Sequence, residues 1–178
     1  MPNDVGAWSI RTAEPGDVST VAAIYAEHVL HGTASFEEVP PDVEEIARRM
    51  RAVRDAGLPY LVAETGGATV GFAYAGPHRP RAAYRHTVED SIYLAPGAQG
   101  RGLGRAMLDE LIARCEATGR LRQMIAVIGD SANAGSIAVH ARAGFHMVGT
   151  MTDVGFKFGR WLDTVIMQRP LDSGPRDA

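Results

Sequence analysis

Apolar residues recur at helical spacing in four stretches of the chain and crowd into short strand-like runs in seven others. Trp8 to Ala13 predicts a first strand, closed by Glu14-Pro15-Gly16. Asp17 is placed to cap a helix running to about His31, with Val18, Val21, Ile24, Tyr25 and Val29 on or near one face. A loop from Gly32 to Pro41 carries Phe36. A second helix follows, with Asp42 as N-cap and Glu45 three residues on, a capping-box spacing. Val43, Ile46, Met50 and Val53 form its stripe and Gly57 stops it. Tyr60 to Ala63 and Thr69 to Tyr74 read as a hairpin turning through Gly66-Gly67. Gly76 to His86 is irregular, and Val88 to Leu94 is a further strand. Leu103 to Cys115 is helical, with Leu103, Met107, Leu108, Leu111, Ile112 and Cys115 toward the core. Met124 to Ile128 is apolar throughout, as a buried central strand would be. Asn133 opens a short helix ended by Gly144. Phe145 to Thr150 and Leu162 to Met167 complete the strands, with Gly155-Phe156-Lys157-Phe158-Gly159 between them, and Leu171 to Ala178 reads as a polar, frayed end.

Composition narrows this to an ordinary globular α/β domain, expected to span 1–171 with a disordered tail at 172–178. The 178 residues are 46% hydrophobic and 22% charged. A net charge of −3 speaks against a general nucleic-acid surface, which would be basic. The single cysteine, Cys115, rules out an internal disulfide framework and a multi-cysteine metal site, and its place on an apolar helix face reads as core. The first nine residues have neither a basic start nor an apolar run, and no apolar stretch approaches the ~20 residues that cross a bilayer. The expectation is a cytoplasmic protein without a membrane partner.

The most informative stretch is Gln99-Gly100-Arg101-Gly102-Leu103-Gly104, between the strand ending at Leu94 and the helix starting at Leu103. Glycines let backbone N–H groups crowd around an anion, and the helix points its positive end at the same place. Strand, glycine turn and helix start together read as a pyrophosphate cradle, with a plain tight turn as the alternative. A P-loop would need Gly-Lys-Ser/Thr where Leu103, Gly104 and Arg105 stand. A dinucleotide fingerprint would need G-x-G-x-x-G early in the chain, whereas this is G-x-G-x-G halfway along it.

The stretch is similar to the Q/R-x-x-G-x-G/A signature of the GCN5-related N-acetyltransferases. Asn133-x-x-Ser136-x-x-x-His140-x-x-x-Gly144-Phe145 resembles that family's second cofactor motif, with histidine where tyrosine is usual. Gly71 to Pro77, Thr87-Val88-Glu89, Ala126 to Gly129 and Lys157 to Trp161 resemble the phosphinothricin N-acetyltransferases. His86-Thr87-Val88-Glu89 and Lys157 to Asp163 are similar also to the methionine sulfoximine and sulfone N-acetyltransferases. The likeness runs from about Ile10 to Leu171. It implies a GNAT fold: a central mixed, mostly antiparallel twisted sheet of about seven strands, splayed at the cofactor strand and flanked by about four helices. It implies acetyl-CoA as cosubstrate, no metal, a small-molecule amine as acceptor, and a homodimer.

The resemblance also implies roles. Ile92, Tyr93 and Leu94 would offer main-chain groups to the pantetheine arm and the oxyanion. Gln99, Gly100, Arg101, Gly102, Leu103, Gly104 and Arg105 would hold the pyrophosphate, and Asn133 would contact the pantetheine. An ammonium has no lone pair, so a base must act before attack; Glu89 is the candidate, and His140 the candidate acid for the leaving thiolate. Arg79, Pro80, Arg81, Arg85, Glu89, Asp90, Ser91 and Phe36 would line the acceptor site. Lys157 would approach a neighbouring subunit's site. Arg79 and Arg85 suit an oxyanion, because a guanidinium can donate two parallel bonds to a phosphinate or carboxylate. Tyr84, Phe158 and Trp161 are further candidate walls. A protein N-terminus, a polyamine or an aminoglycoside is the rival acceptor within the enzyme class; polyamine and aminoglycoside sites would call for acidic residues where the Gly76–His86 loop is basic. A non-catalytic acyl-CoA sensor is the rival outside the enzyme class, and Glu89 and His140 speak against it.

Overall fold

The computed structural model describes residues 8–172. The strands are β1 (Trp8–Thr12), β2 (Tyr60–Thr65), β3 (Ala68–Pro77), β4 (Thr87–Leu94), β5 (Gln123–Gly129), β6 (His146–Lys157) and β7 (Arg160–Pro170). The helices are α1 (Val18–His31), α2 (Val43–Asp55), α3 (Leu103–Glu116) and α4 (Ala134–Arg142). The strands form one sheet in the order β1-β2-β3-β4-β5-β7-β6. Among the described residues only β4 and β5 pair in parallel. That parallel pair needs a crossover, and α3 supplies it.

Each helix is bounded by local chemistry. Asp42 caps α2 by accepting the Glu45 N–H at 2.8 Å. The reciprocal half of the expected capping box is missing, because the Glu45 carboxylate turns to Arg48 and Arg49 instead. Asp17 does not cap α1 with its side chain. A short 3-10 turn, Pro15–Asp17, comes first, and the Asp17 carboxylate receives the Glu14 N–H and a fork from Arg11. Asn133 caps α4 through the Ser136 N–H at 3.1 Å.

Helices cover both faces of the sheet. Val21, Ile24, Tyr25 and Val29 of α1 and Ile46, Met50 and Val53 of α2 are buried on one side. Met107, Leu108, Leu111 and Cys115 of α3 are fully buried on the other. Val62, Phe72, Val88 and Met124 lie between the layers. Leu171, expected in the frayed end, is 6% exposed and donates its N–H to the Arg122 carbonyl. The rest of that end lies largely outside the described residues.

The chief departure from the sequence reading is the last hairpin. Instead of two short strands joined by Gly155–Gly159, β6 continues to Lys157 and turns through Phe158 and Gly159, both at positive φ. Among the described residues no helix is long and apolar enough to cross a membrane.

Candidate active site

The sheet opens at its parallel pair. β4 and β5 pair from Thr87–Gln123 to Asp90–Ala126 and then part. Beyond that point β4 stays with β3 up to Leu94, while β5 stays with β7 up to Gly129. One edge of Ser91–Leu94 is therefore left without a ladder partner. The cleft between the strands is lined by Asp90, Ser91, Ile92, Tyr93, Asn133 and His140 among others. His28 of α1 fixes the far end of β4, its Nε2 donating to the Leu94 carbonyl at 2.8 Å.

The glycine turn follows the opened end of β4, where the chain passes into α3. The first N–H bonded back toward the turn is that of Ala106, to the Gly102 carbonyl. The N–H groups of Leu103, Gly104 and Arg105 thus start the helix without intrahelical acceptors. Gly102, the N-cap, sits at φ 86 and brings no side chain to cap them. Unpaired donors backed by a helix dipole are the chemistry that an anion such as the pyrophosphate of acetyl-CoA calls for. Gln99, Gly100 and Arg101, just before them in the chain, are exposed. Arg105 is drawn along its own helix to Asp109 at 2.7 Å, so its guanidinium leans away from the turn.

Alternation along β4 sends neighbouring side chains to opposite faces. Glu89, Ser91 and Tyr93 face α1, where Tyr93 meets Tyr25 edge-on at 5.0 Å. Asp90 faces α4 instead of the acceptor side for which it was expected, and pairs with His140 at 2.9 Å. Glu89 Oε1 is bonded to His78 Nδ1 at 2.6 Å. His78 stands edge-on to Tyr84, and Arg79 lies over the Tyr84 ring at 5.6 Å. Arg79, Pro80, Arg81 and Arg85 are exposed on the loop.

A cavity of about 400 Å³ lies on the Glu89 face, bounded by Tyr25, Ser35, Phe36, Tyr93, Val127 and Gly129 among others. Its volume suits a small molecule. The α1–α2 loop forms its wall through close approach. A Cβ on Gly129 would run into the Thr33 carbonyl, and one on Gly155 into the Phe36 ring. Lys157 clasps the same loop: its ammonium donates to the Ser35 carbonyl at 2.7 Å and the Gly32 carbonyl at 2.9 Å. At 3% exposure Lys157 is committed to its own chain, not extended toward a neighbour, and burial lowers its pKa. Tyr25 continues the network to Ser35 and Glu37, and Glu37 to Arg49.

Sequence reasoning missed His78, His28 and the Tyr25–Glu37–Arg49 network. His28 reaches 66 residues along the chain, and the other partners lie 11 or 12 residues apart, beyond any helix or strand spacing rule. His78 carried one usable signal, a histidine just outside the strand end that holds Glu89.

The match to known proteins is decisive about ancestry. Residues 10–166 match the family model described as an acetyltransferase (GNAT) domain. The chain belongs to the GNAT acetyltransferase family. A phosphinothricin N-acetyltransferase of Alcaligenes faecalis is 56% identical to this GNAT chain over 168 residues, 94% of this chain and 85% of that one. An L-methionine sulfoximine/L-methionine sulfone acetyltransferase of Pseudomonas aeruginosa is 42% identical over 165 residues, 92% and 95% of the two chains. The crystal structure of a GNAT-superfamily phosphinothricin acetyltransferase from Sinorhizobium meliloti in complex with AcCoA superposes with a TM-score of 0.91, at 49% identity and 96% and 92% coverage. The seven-stranded sheet with four helices is the GNAT fold expected from the sequence.

Proposed function

We propose that this GNAT acetyltransferase moves the acetyl group of acetyl-CoA to the α-amine of a small amino acid analogue of the phosphinothricin, methionine sulfoximine or methionine sulfone type. The observation that carries the reading is the open parallel pair, followed in the chain by a helix start with unpaired donors and carrying a carboxylate on its α1 face. The names of the relatives support the acceptor class. The exposed basic loop, Arg79 to Arg85, supports an acceptor bearing an oxyanion.

Acetyl-CoA supplies the activated acyl group as a thioester. Glu89 takes a proton from the ammonium, one carboxylate oxygen held by His78 and the other left for the acceptor. An α-amine titrates near 8, so the base removes a proton already close to leaving. The Ile92 and Leu94 N–H groups on the freed edge are directed at the oxygen where negative charge builds, whereas Tyr93, expected to join them, spends its main-chain groups on Phe72 of β3. Two protons leave nitrogen over the reaction; one reaches sulfur and one reaches solvent. Transfer is direct, in a ternary complex without a covalent enzyme intermediate. Removing the amine's charge would disarm an inhibitor that mimics a glutamine synthetase substrate.

The active species is a homodimer in a cytoplasmic setting. Met147, Val148, Met151, Val154, Phe156 and Trp161 of the β6–β7 hairpin are each about half exposed, which supports a covered face. A thiol-release assay tests the reading with phosphinothricin, methionine sulfoximine, methionine sulfone, spermidine and an aminoglycoside as acceptors. Release is expected with the first three. Release with the polycations alone, or acetyl-CoA binding with no release at all, contradicts it.

A further inference from the structure

The buried pair on the α4 side of β4 has a bonding pattern that fixes its protons. His140 is 5% exposed and Asp90 8%. His140 Nδ1 lies 2.7 Å from the Ser136 carbonyl, and Nε2 lies 2.9 Å from Asp90 Oδ2. A carbonyl oxygen only accepts, so Nδ1 carries a proton. The Nε2–Oδ2 contact needs one more, since two bare lone pairs would repel. The pair therefore holds a single ionisable proton beyond the Nδ1–H.

The surroundings decide where that proton sits. Burial pulls the ring toward its neutral form, but the Asp90 bond and charge, with the Ser136 carbonyl, outweigh it and raise the His140 pKa. Phe145 stands edge-on to the ring at 5.1 Å. From α3, Cys115 senses the Asp90 charge but is itself neutral, its thiol pushed up to about 12, chiefly by burial. Among the described residues Asp90 Oδ1, which is buried, has no hydrogen-bond partner. With no donor on Oδ1 the carboxylate's charge is not shared with a third group and falls on the His140 bond. Asp90, Ser136 and His140 all border the cleft.

We propose that Asp90 is a positioning residue for protonation of the leaving thiolate: it holds His140 as the imidazolium, and the pair stores the proton that sulfur takes up. This rests on the acetyl-transfer reading above. The amine nitrogen bonds to the thioester carbon, and the C–S bond breaks with its electron pair on sulfur. The stored proton forms the S–H bond. The Nε2 proton is the one that leaves, so the pair passes transiently through an Asp90 carboxylate facing a bare Nε2, and the repulsion between them draws a proton back from solvent after release.

Asp90→Asn preserves shape, and its amide N–H can donate to a bare Nε2, so the variant favours a neutral ring. Nitrogen-resolved NMR of the ring at neutral pH should show both His140 nitrogens protonated in the parent and Nδ1 alone in the variant. With acetyl-CoA, kcat should fall about 100-fold, the scale of a lost general acid. The loss should shrink to less than about tenfold with an acetyl thioester of an acidic aromatic thiol, whose leaving group needs little protonation. His140→Gln and the double variant should fall no further than Asp90→Asn, because the pair acts as a unit. A singly protonated ring in the parent, or one loss across all leaving groups, overturns the assignment. If Asp90→Asn does not fold, the parent's NMR and the leaving-group series on His140→Gln separate the same two outcomes. Absent thiol release from the parent would sink the acetyl-transfer reading, whereas the ring's protonation is read without turnover.

Discussion

The two ends of the cleft are built from different material. At the proposed coenzyme end the available groups are main-chain N–H donors, exposed by glycine at the turn and by a ladder that stops at Asp90–Ala126. At the proposed acceptor end they are side chains held by one another or by loop carbonyls: His78 on Glu89, Lys157 on the α1–α2 loop, Tyr25 on Ser35. A ligand shared by a whole family can be held by backbone, which sequence drift leaves intact. An acceptor that differs from member to member needs side chains, which can be exchanged. Side-chain truncation should therefore cost much at one end and little at the other.

The largest effect is expected at the acceptor end. Glu89→Gln should lower kcat by about 100- to 1,000-fold, the range for a general base, with acetyl-CoA affinity by calorimetry unchanged. Unaltered turnover across pH would remove Glu89 from its role. Between the two ends, Asp90→Asn should cost about 1–3 kcal/mol of stability, as lost bonds to charged groups do. The sign with pH follows from the raised His140 pKa. The stabilisation is fully present below the unfolded value of about 6.5 and is lost as pH rises through the folded value. Melting curves of parent and variant should be widest apart near pH 6 and converge in alkali; a constant gap would contradict a charged His140.

At the coenzyme end the backbone is the sensitive part. Gly102→Val at φ 86 should weaken acetyl-CoA binding about tenfold, since a left-handed residue with a side chain costs about 1–2 kcal/mol. A Kd unchanged by this variant would argue that the turn does not shape coenzyme binding. Lys157→Met loosens the loop behind Phe36, so KM for the acceptor should rise about fivefold, roughly the loss of one net hydrogen bond. The coenzyme KM should stay put; a reversal of that order would detach the loop from the acceptor site. Arg101→Ala should be the mildest, about twofold in coenzyme Kd, because an exposed charge contributes little. A loss beyond that would move weight from main chain to side chain.

Legibility followed the same divide. The glycine turn, the Asn133 cap and the order of elements could be read from the sequence because each depends on neighbours a few residues apart. The β6–β7 hairpin was underestimated for a local reason. Its register shifts around Gly149 and between Met151 and Gly155, with Asp153 at positive φ, so period-two alternation fails over its middle. Lys157 looked like an outward-reaching cation because burial at carbonyls 122 and 125 residues away leaves no trace in local pattern. Asp90 and Glu89 are adjacent letters, yet their opposite faces give them opposite partners.

The central claim is that main-chain donors of the opened strand and the glycine turn grip acetyl-CoA. Amide hydrogen exchange with and without saturating acetyl-CoA tests it residue by residue. Protection should rise at Ile92, Leu94 and Gly100–Arg105, and stay level at Tyr93, which β3 already holds, and in the β1–β2 pair. Saturation of the protein with no added protection at those amides would contradict the account.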